Sequence, residues 1–520
     1  MNLAVTPEDR TPVLVGVGQL VQKEKDVEKA KSPLHLLEDA ARLAAADAGL
    51  GDKLWPLVDN ITVVRFITDS PDSRRLPFGR YENAPKSLGN MLGANASKNC
   101  YGPTGGNTPQ MLVNHTAELI ANGETDIALV AGAEAFATMM RALGQGKVLP
   151  WHDEVPEKRI DIGYEREGVT PVEKAHKLQY PVNIYPLFEN AIRGQKGLSV
   201  HDHQLAIGRL MAPFTEVAAK HPQAWFPTVR SPEEIATVTE NNRYIGFPYT
   251  KYMNAVMQVD QAGAVVMMSV AKARELGVAE DKWVYPHGCA DCNDIWFPTE
   301  RVNFYSSPAI KMMSEKAFGM SGWNINEIDY FDLYSCFPSA VQIGRDALGI
   351  ADDDPRALTV TGGLPYFGGA GNAYVMLSIV TMIEKLRAKR GSRGLVTSNG
   401  WYVTKHGLGL YSTDPFAGAW KREAPASYQS SVDNEAHPVV NEQPKGRAKI
   451  ETYAVGNGRE GPDFAVLFGR LADTDARFVA HTPSDAATLN EMMIHDQLGR
   501  MGTVTPAAEP GKGVNIFTPQ

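Results

Sequence analysis

The sequence is poor in cysteine. It has four cysteines among 520 residues, at positions Cys100, Cys289, Cys292 and Cys336. So few thiols in so long a chain cannot form a disulfide framework, and reduced thiols are typical of cytosolic proteins. The chain also lacks a long uninterrupted apolar run, and its N-terminus has no apolar segment behind a basic start. We therefore expect a cytoplasmic protein without a membrane helix or a secretion signal.

Positive charge is also scarce. The 51 Lys and Arg residues stand against 60 Asp and Glu residues, which gives a net charge of -9 at pH 7. Binding to nucleic acid needs a basic face, so this balance argues against a general affinity for DNA or RNA. The composition, with 43% hydrophobic and 21% charged residues, is that of a folded globular protein. The length predicts roughly three packed units.

One cysteine pair has the spacing of a zinc or redox motif. Cys289 and Cys292 enclose two residues, and His287 is the only close additional ligand. Tetrahedral zinc needs a second ligand pair, which the neighbouring sequence lacks. The alternative is two small buried side chains beside a strand. We predict no metal site.

The chain contains a repeated pattern. Ser-Pro pairs at 32–33 and 307–308 each open an amphipathic segment that ends at Gly49 or Gly322. A serine followed by proline predicts a capped helix start, and glycine predicts the helix end. An acidic turn and an apolar strand follow in both cases, then a second helix, a glycine turn and a buried strand. These later segments are residues 59–64, 110–121 and 127–130 in the first copy and 329–334, 382–389 and 394–397 in the second.

Two copies of a strand–helix–strand plan predict two sheets covered by helices. The first half is expected at residues 10–275, and its strand at 259–268 closes that half. A stretch at about 150–250, rich in proline, charge and aromatics, is interpreted as an inserted loop domain. The second half is expected at residues 276–415.

Residues 416–520 form a separate unit in this interpretation. The stretch to residue 446 is polar and rich in proline, which predicts a linker or a surface wrap. Short β-rich runs follow, with one helical piece around 486–493. We expect a small closed β-barrel.

The duplicated halves, the inserted loop domain and the order of glycine-rich segments resemble the thiolase superfamily, near the sterol-carrier-protein-type thiolases. The resemblance covers roughly residues 10–415, and the extra C-terminal β domain is similar to that of thiolase-like proteins type 1. It implies an α/β thiolase fold in five layers, αβαβα. It also implies acyl-CoA as substrate or ligand, no tightly bound cofactor, a monomer or homodimer, and a C-terminal domain open to a protein partner.

The nucleophile of this family is a cysteine at the N-terminus of a buried helix, where the helix dipole favours a thiolate. The segment that resembles it is Gly105-Gly106-Asn107, and the nucleophile position falls on Gly106. Glycine cannot attack a thioester. Cys100, upstream of the glycines, is an alternative nucleophile or else a small apolar residue near a strand end. We expect Thr108 to cap the helix.

A second family signature, at the end of a strand, resembles Tyr334-Ser335-Cys336-Phe337. Tyr334 takes the place of a histidine or asparagine that holds a catalytic water. A phenol donates or accepts a hydrogen bond, and with a lowered pKa it would be a general base. The alternative is an aromatic residue that caps a core strand. Cys336 is an acid–base group or a packed thiol.

The remaining signatures have also lost their reactive groups. Gly369 stands where the family has its catalytic histidine, and Tyr366 and Asn372 are the nearest polar residues that would replace it. Asn399 falls near the position of the C-terminal catalytic cysteine. His406 is the only histidine in any of these segments, and it is either catalytic or a surface histidine.

The resemblance thus implies two sets of site residues. The expected catalytic residues are Tyr334, Cys336, His406 and Tyr366. The glycines remove side chains where backbone must approach a ligand, or where helices pack tightly. The expected CoA-binding residues are Gly105, Gly106, Asn107, Gly368, Gly369 and Asn372.

Three functions follow as hypotheses. The first is aldolase-like chemistry on carbon–carbon bonds of acyl-CoA, without a covalent cysteine intermediate. This hypothesis rests on Tyr334-Ser335-Cys336-Phe337, which resembles a Tyr-Asp-Cys-Phe signature of sterol-side-chain aldolases. The second is a non-catalytic CoA-binding scaffold. The third is an acetyl-CoA acetyltransferase, which overall similarity would suggest but which lacks its nucleophile and activating histidine.

Overall fold

The computed structural model describes residues 9–70 and 77–520. Helices and strands alternate along most of the chain. The helices are α1 (Pro33–Asp47), α2 (Ala84–Leu92), α3 (Thr108–Ala121), α4 (Phe136–Gly144), α5 (Pro171–Ala175), α6 (Pro181–Lys196), α7 (Val200–Lys220), α8 (Pro232–Ala236), α9 (Val270–Glu275), α10 (Pro308–Ser321), α11 (Pro338–Leu348), α12 (Tyr374–Ala388), α13 (Ala426–Asp433) and α14 (Ala486–Ile494).

The strands are β1 (Pro12–Val21), β2 (Asn60–Val63), β3 (Lys98–Tyr101), β4 (Ile127–Ala135), β5 (Ile160–Asp161), β6 (Tyr244–Phe247), β7 (Tyr249–Thr250), β8 (Asp260–Ser269), β9 (Tyr285–Asn293), β10 (Tyr330–Asp332), β11 (Arg393–Gly400), β12 (Lys405–Ser412), β13 (Gly446–Asn457), β14 (Pro462–Leu471), β15 (Arg477–His481), β16 (Met501–Thr505) and β17 (Ile516–Pro519).

The helix signals of the repeat are confirmed. Ser32 and Ser307 cap α1 and α10 by accepting hydrogen bonds from the amides of His35 and Ile310. Each helix has proline in its first turn, where the missing N–H costs nothing. Gly322 ends α10 in the left-handed conformation, with φ of 70°.

The two sheets repeat one strand order. The first sheet runs β1-β8-β4-β2-β3-β5, and the second runs β9-β12-β11-β10. Strands β9, β12, β11 and β10 thus correspond to β1, β8, β4 and β2, and the matching pairs β2–β4 and β10–β11 are both parallel. The predicted duplication is confirmed at the level of topology.

Helices α3 and α12 lie between the two sheets. Each packs against strands of both sheets, while α1 covers the outer face of the first sheet and α10 covers that of the second. The order of layers is therefore helix, sheet, helix, sheet, helix. Because α3 and α12 are buried on most sides, their N-terminal ends lie inside the protein, next to the ends of β10 and β11.

The C-terminal unit is a closed barrel of five strands, in the order β13-β14-β15-β17-β16 and back to β13. The sequence analysis predicted a barrel but did not identify β16. Strands β6 and β7 of the inserted region extend this sheet, since Phe247 pairs with Val455 of β13. The proposed domain limits 10–275, 276–415 and 416–520 stay a prediction.

The stretch before the barrel is more than a linker. It contains α13, and Trp420, Arg422 and Tyr428 are buried. Arg422 pairs with Asp291 at 2.5 Å and Glu118 at 2.9 Å, which ties this stretch to β9 and α3. Local composition cannot reveal these partners, because both are distant in sequence.

None of the helices in residues 9–70 and 77–520 is long and apolar enough to cross a membrane.

Arg477 of β15 joins the barrel to the second half. Its guanidinium is fully buried and pairs with Glu451 at 2.7 Å. It also donates to the carbonyls of Thr299, at 3.1 Å, and Arg301. Arg301 in turn donates to the carbonyls of Tyr402 and Val403, so one chain of hydrogen bonds runs from the barrel to the β11–β12 loop.

We expect Arg477→Ala to lower the free energy of unfolding by about 2–4 kcal/mol, because it leaves two buried carbonyls without a donor. Glu451 keeps Arg470 as its partner, at 2.8 Å. Thermal unfolding measures the loss. The matched control is Arg500→Ala, whose partner Glu491 is exposed to solvent, and it should cost less than about 1 kcal/mol. Equal effects of the two substitutions would contradict this role for Arg477.

Candidate functional site

The site is built around the turn that starts α3. The helix begins at Thr108, and Asn107 precedes it without a capping hydrogen bond from its side chain. The Thr108 hydroxyl donates to the carbonyl of Pro103 at 2.8 Å. The prediction that Thr108 is the helix cap is therefore wrong, because Thr108 already has helical backbone and its hydroxyl is bound to the preceding loop.

Gly106 lies directly against Tyr334. A Cβ atom built on Gly106 would overlap the Tyr334 hydroxyl oxygen, and would lie 2.9 Å from Tyr334 Cζ and 2.6 Å from the Asn399 carbonyl oxygen. The phenol thus fills the space that a side chain at position 106 would need. Tyr334 and the glycine turn are far apart in sequence, but they are in direct contact in the fold.

Tyr334 follows the short strand β10. Its amide donates to the Thr397 hydroxyl at 2.9 Å, and its ring meets Tyr374 edge to face at 5.9 Å. Burial raises the pKa of Tyr334 well above its usual value. The hypothesis that Tyr334 is a base with a lowered pKa is therefore wrong, because a buried phenol keeps its proton and acts as a hydrogen-bond donor.

Tyr334, Asn399 and His406 line one small cavity of about 10 Å³. Such a volume holds about one water molecule. The Asn399 side-chain oxygen and His406 Nε2 are both buried, without a hydrogen-bond partner among the residues that the structure describes. Three polar groups therefore converge on a space that is almost filled by protein.

His406 is buried in β12, with 2% of its surface exposed. Its Nε2 atom lies 3.5 Å from Asp294 Oδ2, an ion-pair distance without the geometry of a hydrogen bond. Asp294 also accepts a hydrogen bond from Ser307. The surface alternative for His406 is thus wrong, because the imidazole lies inside the protein, between Asp294 and the cavity.

Cys336 is a packed thiol. Its Sγ atom lies 4.0 Å from Asn399 Nδ2, and burial raises its pKa to about 12. Cys100 lies inside β3 and pairs with Thr62, away from the helix start, and burial raises its pKa as well. Neither thiol has the environment of a nucleophile.

Cys289 and Cys292 are buried in β9, and burial raises the pKa of both thiols to about 12. His287 stacks on Trp323 and bonds the carbonyl of Asp414. Within residues 9–70 and 77–520, no group of three His, Cys, Asp or Glu side chains is placed to hold a metal ion.

Asn372 connects the two central helices. Its side-chain oxygen accepts from the Gly105 amide at 3.0 Å, and its side-chain nitrogen donates to the Arg65 carbonyl at 2.9 Å. Both polar atoms are used within the protein. The structure therefore brings Asn372 to the glycine turn, next to Gly105.

Tyr366, Gly368 and Gly369 belong to the loop that precedes α12. The Gly369 amide donates to the Val256 carbonyl at 2.8 Å, and Gly368 has φ of 118°, which favours glycine. The Tyr366 hydroxyl is buried without a partner. These three residues are not among those that line the cavity of Tyr334.

Tyr185 of α6 is a site residue that the sequence analysis missed. Its hydroxyl accepts from Asn399 Nδ2 at 2.9 Å and donates to the Trp401 carbonyl at 2.9 Å. Its ring stacks on Phe337 with centroids 4.4 Å apart. Tyr185 lies inside a helix of the inserted region, which has no counterpart in the repeat, so no local signal could identify it.

Lys405 is the second residue that was missed. It starts β12 and is 7% exposed, and its Nζ donates to the Thr104 carbonyl. Burial lowers the pKa of Lys405 to about 8. A lysine that begins a strand resembles an ordinary surface residue in sequence, and only the packing of Gly105 and Gly400 around it reveals its burial.

We expect Gly106→Ala to destabilise the protein by about 1–3 kcal/mol, because the new methyl group would overlap the Tyr334 hydroxyl. The penalty should shrink in a Tyr334→Phe background, which removes that oxygen. Thermal unfolding of the single and double variants measures both effects. Gly319→Ala in α10 is the control, since it meets open space and should cost nothing.

An equal cost of Gly106→Ala with and without the Tyr334 hydroxyl would contradict this packing.

Comparison with known proteins places these features in a family. Residues 427–509 match the model of the thiolase-like protein type 1 additional C-terminal domain. The chain is 34% identical to a monomeric SCP2-thiolase-like protein type 1 from Mycobacterium smegmatis, over 98% of this chain and 99% of that one, with a TM-score of 0.83. Both findings support the predicted thiolase fold with its added barrel.

Other proteins are similar to this chain in fold alone, or over only a part of its sequence. The Ltp2-ChsH2(DUF35) aldolase is 18% identical over 78% of this chain and 98% of that chain, with a TM-score of 0.56. Acetyl-CoA acetyltransferase 2 from Arabidopsis thaliana is 26% identical over 150 residues, or 28% of this chain. The match spans about a third, 34%, of that curated relative's length.

The duplicated halves, the inserted region and the C-terminal barrel all lie within the match to the Mycobacterium smegmatis protein. The chain therefore belongs to the SCP2-thiolase-like proteins of type 1.

Proposed function

We propose that the chain binds acyl-CoA thioesters and cleaves or forms a carbon–carbon bond beside the thioester, as an aldolase-like enzyme without a covalent intermediate. One observation carries this proposal. The Tyr334 hydroxyl occupies the space of the Gly106 side chain and shares a cavity with Asn399 and His406. A proton donor has thus taken the place of the nucleophile.

Aldol chemistry needs the groups that this cavity offers. Cleavage of a 3-hydroxyacyl thioester leaves an enolate, whose oxygen must be stabilised by hydrogen-bond donors. Burial raises the pKa of Tyr334, so the phenol keeps its proton and can donate a hydrogen bond to that oxygen. His406 lines the same cavity, and we assign to it the movement of a proton there.

Acyl transfer is not favoured as an alternative. That reaction needs a thiolate, and burial holds the pKa of Cys336 at about 12. At neutral pH almost none of this thiol is ionised. The curated acetyltransferase that the chain resembles is matched over 150 residues only, so its activity does not extend to this chain.

A catalytically silent acyl-CoA binder is the second candidate. The size of the cavity favours it, because about 10 Å³ is far below the volume of a ligand pocket, roughly 300 Å³ or more. In this second candidate, Tyr334 closes the site permanently. In the first, the protein opens on binding, as many enzymes do.

We also propose that the protein is a monomer. The similar Mycobacterium smegmatis protein is monomeric by its description. In this chain, β5 pairs in parallel with two of the four residues of β3 and covers part of that edge of the first sheet. A covered edge strand offers fewer free backbone groups to a second copy.

We expect the full-length protein to cleave 3-hydroxyacyl-CoA into a shorter acyl-CoA and an aldehyde or ketone. Tyr334→Phe should lower kcat/KM about 100-fold or more, because it removes a donor to the enolate. Mass spectrometry of the CoA products measures both. Tyr453→Phe is the matched control, since it removes a buried hydroxyl of the barrel that does not line the cavity of Tyr334.

The same ligands distinguish the two candidates. Binding of 3-hydroxyacyl-CoA by calorimetry without any cleavage would reject the aldolase and support the silent binder. Absence of both binding and cleavage would reject both.

A further inference from the structure

Lys405 is a buried cation in an unusual place. The residue is 7% exposed, and its Nζ donates to one carbonyl, that of Thr104. Glu165 is the acidic group whose charge acts on it, and Glu165 is itself paired with Arg65 at 3.2 Å. A buried ammonium normally has a carboxylate partner of its own.

Two glycines make room for this amine. A Cβ atom built on Gly105 would lie 2.8 Å from Lys405 Nζ, and one built on Gly400 would lie 3.0 Å from Lys405 Cε. Lys405 therefore reaches the same turn that Tyr334 contacts at Gly106. Consecutive Cα atoms are about 3.8 Å apart, so the amine and the phenol flank a single peptide unit.

The side-chain oxygen of Asn107 lies close to the amine of Lys405. Asn107 is 4% exposed, and its Oδ1 atom has no hydrogen-bond partner within residues 9–70 and 77–520. The Cβ atom built on Gly105 would lie 2.6 Å from this oxygen, nearly as close as to Lys405 Nζ. A buried acceptor without a donor costs free energy, and a group that both donates and accepts would satisfy it beside the amine.

Burial makes the neutral amine accessible near neutral pH. Desolvation disfavours the ammonium and lowers the pKa of Lys405 to about 8, although the charge of Glu165 acts in the opposite direction. The face of the Trp401 ring, 5.9 Å from Nζ, stabilises the ammonium that forms when the amine takes up a proton. A neutral amine has a lone pair and serves as a base.

We propose that Lys405 Nζ and Asn107 Oδ1 bind the hydroxyl group of a 3-hydroxyacyl thioester, and that Lys405 takes the hydroxyl proton when the carbon–carbon bond breaks. The hydroxyl donates to one of the two atoms and accepts from the other. This inference rests on the proposed aldolase function. It names the base that takes the hydroxyl proton, a role that the proposed function leaves unassigned.

The step balances without a further reactant. The proton passes from the 3-hydroxyl to the neutral amine of Lys405, and the O–H electron pair forms the carbonyl of the released aldehyde or ketone. The bond between C2 and C3 breaks, and its electron pair becomes the thioester enolate, which Tyr334 stabilises. The ammonium of Lys405 then returns its proton to C2, which yields the shorter acyl-CoA.

The first test is kinetic. Lys405→Gln should lower kcat/KM for 3-hydroxyacyl-CoA cleavage about 100-fold or more. Lys405→Arg should do the same, because a guanidinium stays protonated. In wild type, kcat/KM should rise with pH through about 8, as the amine loses its proton, and this rise should vanish in both variants. Lys445→Gln, on the exposed stretch before the barrel, is the control.

The second test measures binding and does not need turnover. Calorimetry compares 3-hydroxyacyl-CoA with the same acyl-CoA lacking the hydroxyl. Wild type should bind the hydroxylated ligand about tenfold more tightly, and Lys405→Gln should bind both equally. Lys405→Met, similar in shape, repeats the comparison if the first variant unfolds.

The outcomes separate this inference from the proposed function. Cleavage that persists unchanged in Lys405→Gln, with its pH dependence intact, would overturn the role of Lys405 and leave the aldolase standing. If wild type cleaves nothing but prefers the hydroxylated ligand through Lys405, the hydroxyl site stands and the base is overturned. No cleavage and no such preference would overturn both parts.

Discussion

Burial of α3 and α12 between two sheets is the constraint on which the remainder of the site depends. Helices in that position have no solvent at their ends, so the amides of the first turns must find partners inside the protein. Asn372, just before α12, accepts from the Gly105 amide in the turn before α3 and links the two halves. Gly106 is small because Tyr334 fills the space beside it, whereas Gly105 and Gly368 have φ of 146° and 118°, which favours glycine.

The chemistry of the site follows from the same burial. Desolvation raises the pKa of Tyr334 and Cys336 and lowers that of Lys405, so all three groups favour their neutral forms. A thiolase-type site needs a charged thiolate at the helix end. This site instead holds a neutral phenol and an amine whose pKa of about 8 lets it gain and lose a proton near neutral pH, which suits the sharing and transfer of protons more than covalent attack.

Much of the fold could be predicted from the sequence, because the signals for its helices, turns and strands are local. The Ser-Pro helix starts and the glycine turns identified both halves, and the strand patterns identified most of the barrel. The site was readable only in part. Tyr334 and His406 stand at signatures, but the direction of the Tyr334 pKa shift depends on burial, and Tyr185 and Lys405 reach the site through contacts distant in sequence.

The barrel has a physical connection to this site. Arg477 binds the carbonyls of Thr299 and Arg301, and the Arg301 guanidinium holds the β11–β12 loop. In that loop Val403 has φ of 55°, a strained conformation for a β-branched residue, which persists only where surrounding contacts enforce it. Since Lys405 follows two residues later, the barrel supports the backbone that sets the position of the amine.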